Sequence, residues 1–89
     1  MNAIVTVVGN DRVGIIADIC TKLAEKNINV LDISQTIMGG TFTMIMAVDV
    51  EKATVPFVQL QSDLKDFGTE KHLSIHIQRE DIFNAMHTI

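Results

Sequence analysis

Eighty-nine residues with 47% hydrophobic content, a formal net charge of −4 and a pI of about 5.1 describe one small domain with a single modest core. The acidic balance and the lack of a basic run remove the usual electrostatic footprint of a nucleic-acid binder, and one cysteine excludes a disulfide framework. No apolar segment reaches the ~18 residues of a membrane span and no signal-peptide pattern is visible, so a cytoplasmic protein without membrane contact is expected.

Ala3 to Val8 is rich in β-branched residues and reads as a buried strand. It leads into Gly9-Asn10-Asp11-Arg12-Val13-Gly14-Ile15, a strand-to-helix loop in which two glycines bracket polar residues. Asp11 is placed to accept hydrogen bonds from the first free N–H groups of the next helix, and a loop of this kind suits a carboxylate. From Val13 to Lys26 the apolar residues Val13, Ile16, Ile19, Cys20, Leu23 and Ala24 form a helical stripe. Asp18 and Lys22 are spaced as a favourable pair, and Asn27 suits a left-handed cap.

Ile28 to Met38 is strand-like, with Ile28 and Val30 assigned to one face and Leu31, Ile33 and Ile37 to the other. Gly39-Gly40 is a hairpin signal. Thr41 to Val50 alternates, with Phe42, Met44, Met46, Val48 and Val50 expected to face the helices. Thr54 is the expected N-cap of a second helix, with Pro56 in its first turn, Phe57, Leu60, Leu64 and Phe67 as its stripe, and Gly68 as its stop. Thr69 to Gln78 reads as a fourth strand. Glu80 to His87 reads as a short tail helix with Ile82, Phe83 and Met86 on its apolar side.

Strand, helix, strand, strand, helix, strand is the order of two split βαβ units. Right-handed crossovers then give an α/β (α+β) ferredoxin-like βαββαβ sandwich: a four-stranded antiparallel sheet, two helices on one face, and a short C-terminal helix. The hydrophobic content is high for so small an interior, so the open face or an edge strand is expected to be covered by a second copy or another protein.

Fold alone selects no function. An RNA-binding domain of this topology needs stacking aromatics on its central strands, where this chain has Val5, Val7, Ile45 and Ala47. A metal chaperone needs paired cysteines, and Cys20 is alone on an apolar stripe, where a small buried hydrophobe is the simpler role. A phosphate-cleaving enzyme would cradle an anion in the first loop beside Arg12, but no second catalytic partner follows from the spacing. His72 and His76, read on one strand face, are about 13 Å apart at roughly 3.3 Å per residue, too far for one metal ion within one chain. A polar sheet face accounts for them, and His87 near the terminus is assigned nothing. No catalytic set, cofactor or metal site is expected.

The remaining reading is small-molecule sensing. The stretch Val7-Val8-Gly9-Asn10-Asp11-Arg12-Val13-Gly14-Ile15-Ile16, followed by Lys26-Asn27-Ile28-Asn29-Val30, resembles the signature of the ACT domain family. Order and length match along nearly the whole chain, the tail helix being an addition. Asp11-Arg12-x-Gly14 is most similar to the versions in the glycine-cleavage regulator and formyltetrahydrofolate deformylase, and the chain length to small stand-alone ACT proteins.

The resemblance implies a homodimer that binds an amino acid between chains. Asp11, Gly14 and Ile15 would supply the loop side and Asn29 the partner side. Val13 stands where the family commonly has proline, and Asp11 where serine-binding members have Asn. The expected protein is regulatory and non-enzymatic, and acts on a separate protein target. The alternative is a ligand-free interaction module that docks through its open sheet face or tail helix.

Overall fold

The computed structural model describes residues 1–10 and 12–86. The chain runs β1 (Asn2–Asn10), α1 (Ile15–Glu25), β2 (Asn29–Met38), β3 (Thr41–Asp49), α2 (Phe57–Glu70), β4 (Leu73–Arg79) and α3 (Glu80–Met86). The strands form one antiparallel sheet in the order β2-β3-β1-β4. This is the ferredoxin-like arrangement expected from the element order.

The core lies between the sheet and the two main helices. Ala3, Val5 and Val7 of β1, Phe42, Met44, Met46 and Val48 of β3, and Leu73, Ile75 and Ile77 of β4 point inward at every second position. They meet Ile15, Ile19 and Leu23 of α1 and Leu60 and Leu64 of α2, which recur every turn. Among the described residues no polar or charged side chain is buried, and no helix is long and apolar enough to cross a membrane.

Several local readings shift. Val13 is 99% exposed rather than part of the α1 stripe. Gly14 adopts a left-handed conformation (φ 84°), so the chain turns there and the helical phase starts at Ile15. Ala24 is exposed too. The Asp18–Lys22 pair does not form. Asp18 meets Arg12 at 3.3 Å, while Lys22 lies 3.9 Å from Glu25. Asn27 does adopt the left-handed conformation expected of it (φ 59°), and Gly39 and Gly40 both have positive φ, as a two-residue hairpin with this twist requires.

In β2 a bulge between Val30 and Asp32 makes Leu31 an extra residue. Ile33 and Ile37 are thereby set opposite Met46 and Phe42, on the core side of the sheet, and not on the opposite face from Val30 as strict alternation implied. The two helices do not reach this edge. Leu31, Ile33, Ile37 and Met38 stay 51%, 42%, 56% and 75% exposed.

The α2 boundaries also move. Pro56, with extended backbone, precedes the helix, while the Thr54 N–H is spent on the Lys26 carbonyl at 3.1 Å. Gly68 does not stop α2, which continues to Glu70. A Cβ at Gly68 would lie 2.7 Å from the Leu73 carbonyl oxygen, so glycine is there to let α2 approach β4. Thr69 to Lys71 belong to the helix end and turn. His72, with φ 60°, sits in that turn and not on a strand face with His76. The expected helical end at His87 lies outside the described residues.

Lys26 at the end of α1 is tied to Asp63 of α2 at 2.8 Å, and Gln59 donates to the other Asp63 oxygen at 2.7 Å. The hydrogen bond from Lys26, then that from Gln59, holds the Asp63 carboxyl below its ordinary 3.8. A depressed carboxyl pKa stabilises the fold above its unfolded value, and that contribution disappears as pH falls through the lower folded value.

Gly68→Ala is expected to lower the thermal midpoint by roughly 4–16 °C, from about 1–2 kcal/mol of overpacking, where an ordinary mid-helix Gly→Ala change stabilises. Differential scanning calorimetry distinguishes the two. Asp63→Asn is expected to flatten the loss of stability below pH 3.8 relative to the wild type, measured by urea unfolding across the acid range.

Candidate functional site

Two regions carry the residues singled out from the sequence, and they lie at opposite ends of the domain. The first is the loop between β1 and α1. Gly14 precedes the helix without a side-chain cap, and its carbonyl accepts the Asp18 N–H at 2.9 Å. The side chain of Ile15 is only 3% exposed, so a ligand at this loop meets its backbone N–H and not its side chain. Arg12 reaches over the first helical turn to Asp18, which neutralises part of its charge. Val13 beside it projects into solvent. Asp11 lies outside the described residues.

The second region is the start of β2. Asn29 is exposed there and pairs in register with Asp49 at the end of β3. It lines a cleft of about 400 Å³ together with Ala24, Asn27, Ile28, Asp49 and Lys52. The turn after α1 and the turn after β3 frame this cleft and are stitched together by Asn27, whose Nδ2 donates to the Lys52 carbonyl at 2.8 Å. Its volume falls in the range of small-ligand sites.

The length of α1 separates the two regions, about 16 Å at 1.5 Å per residue. One chain therefore does not bring Gly14 and Asn29 together. The cleft partners Asp49 and Lys52 were not legible as site residues. They are distant from Asn29 in sequence, and only the β2–β3 register and the Asn27 side chain draw them to it.

On the open sheet face, Ser74 Oγ and His76 Nε2 lie 3.1 Å apart, a contact that period-2 alternation allows, since both residues share a face of β4. Among the described residues no group of three His, Cys, Asp or Glu side chains could hold a metal ion. Cys20 is half-buried on α1.

The ACT domain family model matches residues 2–78. The chain belongs to the ACT domain family. It is 52% identical to the UPF0237 protein of Listeria innocua over the full length of both chains. An ACT domain protein from Streptococcus pneumoniae shares 40% identity, with a TM-score of 0.82 over 93% of each chain. The fold also recurs, at 19% identity and a TM-score of 0.78, in a formyltetrahydrofolate deformylase from Pseudomonas syringae, where it covers 86% of this chain and 26% of the larger one. The match ends at Gln78, so Arg79 and α3 stand outside the ACT family match.

The left-handed backbone of this ACT domain at Gly14 makes a side chain there costly although nothing crowds the site. Gly14→Ala is expected to destabilise by about 1–2 kcal/mol, read as a shift in the urea midpoint at unchanged m-value.

Proposed function

We propose that this ACT domain protein is a non-enzymatic regulator that binds an amino acid at the interface of a cytoplasmic homodimer and passes the signal to a separate protein. The observation that supports it most is the exposed edge strand β2. Its apolar residues Leu31, Ile33, Ile37 and Met38 run along an unpaired sheet edge, a surface that monomeric proteins seldom leave open.

The end-to-end geometry supports the same reading. β2 begins at Asn29 and ends at Met38, and in the sheet the end of β2 lies on the same side as the end of β1 and the loop that follows it. Two copies paired antiparallel through β2 bring the first loop of each subunit beside the start of β2 in the other. The separation of Gly14 and Asn29 within one chain then becomes proximity between two chains. The exposed Val13 falls at the same junction. Such a ligand shifts the dimer only by its differential affinity for the paired state.

A thermal-shift screen against free amino acids tests this. A bound amino acid at about a hundred times its Kd stabilises by roughly 2.7 kcal/mol, on the order of 10–20 °C for a domain of this size. The shift should vanish in Asn29→Ala. Ile33→Lys should convert the dimer to a monomer in light scattering and abolish the shift as well. A monomeric wild type, or a shift insensitive to Asn29→Ala, refutes the interface site. A dimer that answers to no amino acid favours the ligand-free module.

A further inference from the structure

The cleft at the start of β2 carries charges of both signs that no contact within the fold fully uses. Asp49 accepts the Glu51 N–H on Oδ1 at 2.9 Å, and the same oxygen faces the Met1 amino group at 3.8 Å, leaving Oδ2 for a ligand. The Lys52 ammonium has no partner among the described residues, although its backbone carbonyl is held by Asn27. Asn27 has spent its Nδ2 on that carbonyl and retains Oδ1 as an acceptor, while Asn29 offers both a donor and an acceptor. Ala24, in the last turn of α1, and Ile28 supply apolar wall, and the negative end of the α1 dipole favours a cation on that side.

We propose that Asp49 and Lys52 read the two charged ends of a free amino acid, Lys52 holding the α-carboxylate and Asp49 the α-ammonium. The inference rests on the amino-acid reading above and adds the two side chains that select the ligand class. Each charge has a counterpart of opposite sign in the same cleft, so a zwitterion enters without leaving either charge unmatched. An amine without the carboxylate leaves Lys52 unanswered, and an N-acylated acid leaves Asp49 unanswered.

Isothermal titration of the full chain tests the assignment, using each proteinogenic amino acid in turn and then the α-amide and N-acetyl derivatives of the tightest binder. Wild type should bind the free amino acid at least about tenfold more tightly than either derivative. Lys52→Gln should weaken the free amino acid about tenfold and no longer distinguish it from the amide, while Lys52→Arg retains the discrimination. Asp49→Asn keeps an acceptor for the Glu51 N–H and should lose discrimination against the N-acetyl derivative alone. A general loss of structure would weaken every probe equally and would not move these two preferences separately. Binding that is lost in Asn29→Ala yet unchanged in Lys52→Gln and Asp49→Asn overturns this assignment and leaves amino-acid sensing intact. No heat with any amino acid overturns both.

Discussion

A single layer of two helices must cover the inner face of a four-stranded sheet, and it is one strand too narrow. β1, β3 and β4 have their inward side chains sealed by α1 and α2, and Ala3, Val5 and Val7 of β1 and Phe42, Met44, Met46 and Val48 of β3 are at most 1% exposed. β2 is left at the margin. Its Ile33 and Ile37 stand on the same side of the sheet as Met46 and Phe42, yet no helix reaches them. Hydrophobic burial is roughly proportional to apolar area removed from water, so this margin is where a second surface gains most by docking. The same shortage of cover leaves Leu31, Ile33, Ile37 and Met38 exposed along the edge.

The turns show how close packing and backbone conformation divide the work of a few small residues. Gly14, Gly39 and Gly40 occupy left-handed backbone with open space around them, so their requirement is conformational. Gly68 has ordinary helical backbone and is needed because the Leu73 carbonyl lies where a Cβ would sit. Asn27 serves twice. It turns the chain out of α1 in left-handed backbone, and its side chain closes the far wall of the cleft by holding Lys52 in place. The Lys26–Asp63 bond next to it clamps α1 to α2 at the same end, so the cleft sits on one of the better-tied corners of the domain.

The candidate site was legible in the sequence as two separate fragments. Gly14 and Asn29 could be picked out because glycine in a strand-to-helix loop and an amide opening a strand have recognisable chemistry. Their relation could not, since it depends on which end of the sheet each reaches. Asp49 falls at an outward position of an alternating strand, and no local pattern marks Lys52. The β2–β3 register sets Asn29 opposite Asp49, and the Asn27 hydrogen bond fastens the Lys52 turn beside them. Long-range pairing carries no local sequence signal, and that is why the cleft was invisible beforehand.

Periodicity alone determined the element order, the sheet topology and most of the core, because alternation in β3 and the helical recurrence of Leu60, Leu64 and Phe67 leave few ways to bury apolar area. The family, too, was readable in a short loop motif that agreed with that topology. The tertiary structure decided what local pattern cannot encode. The bulge at Leu31 turned Ile33 and Ile37 to the core side, the approach of α2 to β4 gave Gly68 its role, and the left-handed Gly14 put Val13 in solvent. Each depends on residues distant in sequence or on a single backbone conformation, and a shift of one residue in either reverses which face a side chain presents.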